Sequence, residues 1–268
     1  MRKLAALCLL LPLAGCSLNR AAARATSGVV DKGLPAVYAQ SDVKYAEQAL
    51  PGNLQLMEIL LQSDPGNGKL LVNAAQGFCG YALMFLEDED AQRATGFYRK
   101  GEAYAARALG GRGPAQARKA DAPALFWQTF CRASRLNINR DDPEALAELP
   151  ELEPALNRLL ELDPGYYHNG AETLLGSYYA IRPKMFGGDP AKAARHFELA
   201  LKGEGGKFLL NKYMYARLGA TAALDDALFD RLLGEVLNAG PSDDATRLPD
   251  EVAKLKAKKL LERKNELF

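Results

Sequence analysis

The nineteen residues from Leu60, LLQSDPGNGKLLVNAAQGF, meet a second version of themselves at Leu159, LLELDPGYYHNGAETLLGS. At a constant offset of 99 residues, Leu60, Leu61, Asp64, Pro65, Gly66, Gly77, Asp90 and Ala94 stand over Leu159, Leu160, Asp163, Pro164, Gly165, Gly176, Asp189 and Ala193. Tyr98 stands over Phe197 at the same offset, and no gap is needed. A chain that repeats itself at this period is confined to folds in which one supersecondary unit stacks on the next.

Each unit has the same physical design. A helix runs up to Asp-Pro, a second helix carries a glycine at its middle, and a third presents a small–aromatic–small stripe. That stripe is Ala94, Tyr98 and Gly101 in the first unit and Ala193, Phe197 and Ala200 in the second. The glycine is expected to let the third helix approach closely, with the aromatic filling the gap between the two. Apolar residues recur at spacings of three and four, and β-branched alternation is missing, so no strand is expected. DP, GN, GG and DD signals cut the chain into about a dozen helices. The expected fold is all-α and single-domain, a degenerate tetratricopeptide-like helical repeat superhelix.

The segment GGDPAKAARHFELALKGEGGKF, residues 187–208, tests whether glycine pairs here cradle a phosphate. A phosphate loop would need a preceding strand and a Ser or Thr after the lysine. Here a helix precedes and Phe208 follows Lys207. Asp189 reads as an N-cap, Pro190 as the first helical residue and Gly203 as the stop.

The N-terminus sets the compartment. Arg2 and Lys3 precede an apolar run from Leu4 to Leu13, and Leu13-Ala14-Gly15-Cys16 forms a lipobox. The run is too short to span a bilayer as a helix and reads as a signal peptide over residues 1–15. Cys16 is the expected lipidation site, where acyl chains tether the protein to the membrane. The competing reading is an ordinary secretory signal with an incidental cysteine. Ser17, in place of an aspartate, favours the periplasmic face of the outer membrane. Residues 16–40 would then be a lipidated tether with a first helix, and residues 41–268 the repeat domain. Removing Arg2 and Lys3 leaves 32 basic residues against 33 acidic ones, which gives no electrostatic case for nucleic acid. Cys79 and Cys131 remain in an oxidising compartment that permits a disulfide. Each lies in an apolar helical pattern, so buried free thiols are the expectation.

Catalytic chemistry is scarce. The two histidines, His168 and His196, have no cysteine or carboxylate at metal-ligand spacing, so neither a metal nor a cofactor is expected. No Gly-x-Ser-x-Gly elbow is present. The acidic run Glu87 to Asp90 lacks the alternating ligands of a calcium loop and reads as dipole-stabilising acids at a helix start. The basic tail KLKAKKLLERKNELF, with Leu255, Leu260 and Leu261 expected on one face, reads as a terminal helix that caps the last repeat. An enzyme is not expected. The aromatics offer more. Trp127 sits between Phe126 and Phe130, and Tyr178 and Tyr179 precede Arg182 and Lys184. Those cations could hold a carboxylate at the mouth of an apolar pocket.

GFCGYALMFLEDED, LFWQTF, LLELDPGYYHNGAETLLGSYYAIRPKMFGGDPAKAARHFELAL, GGKFLLNKYMYAR and LFDRLLGEVL, together with the lipobox, resemble the T-component (TatT) family of TRAP transporters. The likeness covers nearly the whole mature chain, and RPKMFGGDPAKA is its most specific block. It implies a periplasmic α-helical lipoprotein that partners the TRAP substrate-binding protein. It also implies delivery of a small apolar organic acid and a trimer with a pore through each subunit. The family motif falls here on Gly77, Cys79, Gly80, Tyr81, Tyr178, Tyr179, Arg182, Gly187, Gly188, Asp189, Gly206, Lys207 and Phe208. The candidate ligand- or partner-binding residues are therefore Trp127, Tyr178, Tyr179, Arg182, Lys184 and Lys207. The alternative is a general cell-envelope scaffold that offers a concave groove to a peptide or assembly partner.

Overall fold

Six helices begin at an aspartate or asparagine whose side chain accepts a hydrogen bond from a backbone N–H of the first turn. These are Asp42, Asn67, Asp90, Asp142, Asp189 and Asp225. Each satisfies a donor that the helix itself leaves free. The computed structural model describes the backbone of residues 2–268 and the side chains from Leu18 onward. The Cys16 side chain, and with it the lipidation expectation, lies outside the described residues.

The chain runs through α1 (Arg2–Tyr38), α2 (Val43–Ser63), α3 (Gly68–Tyr81), α4 (Ala91–Leu109), α5 (Ala122–Ile138) and α6 (Pro143–Glu148). It continues through α7 (Leu152–Leu162), α8 (Tyr166–Ile181), α9 (Pro190–Ala200), α10 (Leu209–Met214), α11 (Thr221–Ala223), α12 (Asp226–Leu237) and α13 (Arg247–Glu262). A π-helical segment, Ala82–Leu86, extends α3, and a second, Tyr215–Ala220, joins α10 to α11. No strand occurs among the described residues. The fold is all-α, as expected from the spacing of apolar residues.

The repeat is visible as matched helix trios. In the first, α4 packs across α3 and α5; in the second, α9 packs across α8 and the π-helical segment Tyr215–Ala220 that continues α10. The equivalent glycines differ in what they touch. A Cβ on Gly176 would come within 2.8 Å of the Phe197 ring of α9, as the repeat predicts. A Cβ on Gly77 would instead meet Leu54 Cδ2 at 2.6 Å, on the preceding helix α2. The expected contact with α4 is made elsewhere, at Gly101, whose missing Cβ leaves room for Cys79 Sγ at 2.2 Å.

That room holds a disulfide. Cys79 and Cys131 are bonded, with Cα atoms 5.5 Å apart, which corrects the expectation of free thiols. Both cysteines are fully buried, as their apolar patterns indicated. Proximity across the repeat was hidden because α3 and α5 are brought together only by their shared packing on α4.

Two further expectations change. Only Asp90 of the acidic run acts as a cap, accepting from Arg93 N at 3.0 Å. Glu87 is buried, accepting from the Tyr98 hydroxyl at 2.7 Å and pairing with Arg217 at 2.6 Å. Asp88 pairs with Lys256, and Glu89 pairs with Lys259 at 2.6 Å. The basic tail does more than cap the last repeat, since α13 packs on α10 and α12 and reaches back to α1 and α2. Its buried stripe runs through Leu248, Val252, Lys256 and Ala257, while Leu255 is 52% exposed. Leu255 lies one position off that stripe, about 100° around the helix. The chain thus ends against its own beginning and makes a ring.

Candidate functional site

The ring encloses a cavity of about 280 Å³. α1, α2, α3, α5, α7, α8, α10 and α13 contribute to its wall, while among the described residues α4, α9 and α12 stand behind it and contribute none. This division follows the packing of each trio: the first and last helices face inward, and the striped middle helix packs them from outside. The wall is dominated by apolar groups such as Val37, Leu54, Met84, Leu174 and Leu218. At this size and polarity it matches a site for a small organic molecule.

One end of the wall is aromatic. Trp127 is fully buried and packs edge-on against Phe126 at 5.2 Å and Tyr167 at 4.8 Å. Its indole nitrogen makes no well-formed hydrogen bond; the Tyr166 hydroxyl comes near without reaching good geometry. Tyr167 opens an unusual turn. Tyr167, His168 and Asn169 have φ of 48°, 58° and 62°, three consecutive left-handed residues without a glycine. Such residues normally occur singly, because Cβ crowds the following carbonyl.

Named side chains hold the turn in place. The Asn169 amide donates to Ala200 O at 3.1 Å and Lys202 O at 2.8 Å. The Asn211 amide donates to His168 O at 2.7 Å and Gly205 O at 3.0 Å, while its oxygen accepts from the Thr173 hydroxyl at 2.8 Å. The His168 ring stacks on Phe208 at 4.4 Å, and burial pushes its pKa down, which favours the neutral ring. Backbone strain of this kind persists only where surrounding contacts fix it. The two motif segments YYHNG and GGKFLLN are therefore one structural unit. Nothing in their spacing reveals the left-handed turn, although Asn at its end was a usable hint.

Of the candidate residues, Trp127 and Tyr178 line the cavity. Tyr179 does not; its hydroxyl donates to Glu153 at 2.5 Å and its ring stacks on His196 at 5.6 Å. Arg182 lies over the Tyr178 ring at 4.4 Å and donates to Phe186 O, bracing the Lys184–Phe186 turn. Lys184 sits in that exposed turn, and exposed Lys207 pairs with Glu204 at 2.8 Å. Among the described residues, no cation lines the cavity. Polar wall residues that sequence reasoning did not select are Asn53, Gln76, Ser134, Asn137 and Thr173. Among the described residues, no cluster of His, Cys, Asp and Glu is arranged to hold a metal ion.

The fold and site define an all-helical ring around an apolar cavity. The sequence matches the family model of the TRAP transporter T-component over residues 39–268, and the chain belongs to that family. The family is one of transporter accessory components, which suggests a place in the cell envelope and is not known for enzymatic activity. A comparison with curated proteins found no significant match.

Proposed function

We propose that this chain is a lipid-anchored periplasmic accessory protein of a TRAP-type uptake system. It docks on the substrate-binding component, and its cavity receives a small apolar organic molecule during delivery. Cys16 carries the acyl anchor at the periplasmic face of the outer membrane. The observation that carries this reading is the apolar cavity at the centre of a ring whose sequence matches the T-component family. The trimeric state implied by the resemblance belongs to the same proposal.

Two measurements test it. The mature chain should co-elute with a TRAP substrate-binding protein from the same organism, and native mass spectrometry should report three copies. Persistent failure to bind any such protein, with both partners folded, overturns the docking role. Cys16→Ala should release the protein from the membrane fraction, and unchanged membrane retention rejects the lipid anchor.

A further inference from the structure

Among the described residues, the cavity wall contains one charged side chain, Glu87, and that carboxylate is already held by Arg217 and the Tyr98 hydroxyl. Among the described residues, no Lys, Arg or His lines the cavity from any contributing helix. The other ionisable wall groups are phenols: Tyr38 on α1, Tyr81 on α3, and Tyr167 and Tyr178 on α8. Burial pushes all four phenols above the ordinary tyrosine value, so they stay uncharged near neutrality. Behind Pro249 of α13, Asp250 is fully buried, accepts from Leu209 N at 2.8 Å and leaves Oδ2 without a partner. Buried Lys256 is committed to Asp88, and half-buried Arg217 to Glu87 and Asp88. The fixed charge around this cavity is therefore negative or neutralised, and an entering anion would lose its hydration without gaining a counter-charge.

Hydrogen-bonding capacity is present where charge is not. Trp127 Nε1 is a buried donor lacking a well-formed bond, and Asn137 Oδ1 is a buried acceptor without a partner. Both residues belong to the wall and lie on α5, ten positions apart, which is about 15 Å along a helix axis. We propose that the cavity binds elongated, predominantly apolar molecules in their uncharged form and rejects carboxylate anions. Such a ligand accepts a hydrogen bond at the Trp127 end or donates one at the Asn137 end; an alcohol, an ester or a protonated fatty acid fits. This rests on the cavity being a ligand site and deepens that reading by fixing the charge state of the cargo. An organic acid then enters only as its protonated species, and its carboxylate must be recognised elsewhere.

Trp127 is the only tryptophan in the chain, so its fluorescence reports on the wall directly. The full chain in phosphatidylcholine vesicles is titrated with octan-1-ol, octanoic acid and octylamine across pH, with the acid's vesicle partitioning measured alone. Octan-1-ol should bind with an affinity independent of pH. The apparent affinity for octanoic acid should fall about tenfold per pH unit above the acid's own pKa, as the competent species is depleted. Octylamine should bind only where it is uncharged. Octanoate binding that holds steady into alkaline pH overturns the proposal while leaving the cavity a ligand site. Absence of binding by all three probes overturns the ligand role and this proposal together, whatever the result of the co-elution test. Asn137→Leu should reduce affinity for octan-1-ol more than for its methyl ether; equal losses remove Asn137 from the site.

Discussion

The two helix trios meet the same mechanical demand with different bonds. Each must hold its two inward helices together against the outer one. In the first, α3 and α5 are joined covalently through Cys79 and Cys131. In the second, α8 and α10 are joined by Thr173 and Asn211, which also fixes the carbonyls of His168 and Gly205. At the 99-residue offset, Cys79 corresponds to Tyr178, a wall residue, so the second trio has no thiol to use. Equivalent sequence thus predicts the skeleton of a repeat but not the bond that locks it. The first lock answers to redox conditions, and the second only to the integrity of a buried polar network.

The largest effect is expected on the hydrogen-bonded side. Asn211→Ala leaves the Thr173 hydroxyl and the two carbonyls without their partner, at about 1–3 kcal/mol each when buried. It also removes a support of the left-handed turn, so chemical denaturation should show a loss of at least about 3 kcal/mol. A change under about 1 kcal/mol would mean that water replaces the amide. Next comes the covalent side. The double substitution Cys79→Ala and Cys131→Ala opens a bridge with a sequence separation of 52 residues. The expected loss is about 2–4 kcal/mol without reductant, and added reductant should then have no further effect. Equal sensitivity of wild type and variant to reductant would show that the bridge is not formed in solution.

Smaller effects separate the two mid-helix glycines. Gly176→Leu pushes into the Phe197 ring and should cost about 1–3 kcal/mol through overpacking. Gly77→Leu meets the end of the flexible Leu54 side chain in the cavity wall, so it should cost less and reduce ligand uptake instead. Matching losses would make the two glycines equivalent after all. The smallest effect is expected at the exposed Lys259–Glu89 pair, where Lys259→Ala should cost under about 1 kcal/mol and vanish at high salt. Acid probes the same joint. Burial pushes the Asp88 carboxyl up, but Lys256 and Arg217 outweigh it and leave it below its ordinary 3.8. The stability it contributes is present above pH 3.8 and lost as pH falls through the depressed value. Asp88→Asn should flatten stability over that acidic range, and an unchanged profile would assign the acid transition to other carboxylates.

Much of the skeleton was legible because helix periodicity and caps are local. The α4 boundaries follow from Asp90 and from Gly110 just past Leu109, and α9 starts where Asp189 and Pro190 place it. What stayed hidden depends on residues distant in the chain. The disulfide required knowing that α3 and α5 meet beneath α4; Gly101, where the second repeat has Ala200, was the one trace left in the sequence. Glu87 reads in sequence as a dipole-stabilising acid because its partner Arg217 is 130 positions away. The left-handed turn is set by Asn169 and Asn211 acting from different segments, which no local propensity encodes. Trp127 and Tyr178 stand in the cavity wall because their helices, α5 and α8, are the inward ones of each trio. Arg182 was singled out for its charge, and its position over Tyr178 follows from a loop geometry that spacing does not contain.

The acidic bracket has a consequence for how the chain matures. Glu87, Asp88 and Glu89 find their cations 130, 168 and 170 positions downstream. During vectorial synthesis these acids emerge long before the arginine and lysines that will neutralise them exist. Closure is thus deferred until the final helix is delivered, since contacts this far apart in sequence form late. Until then the greasy interior stands open, and the nascent chain is most in need of a chaperone during that interval.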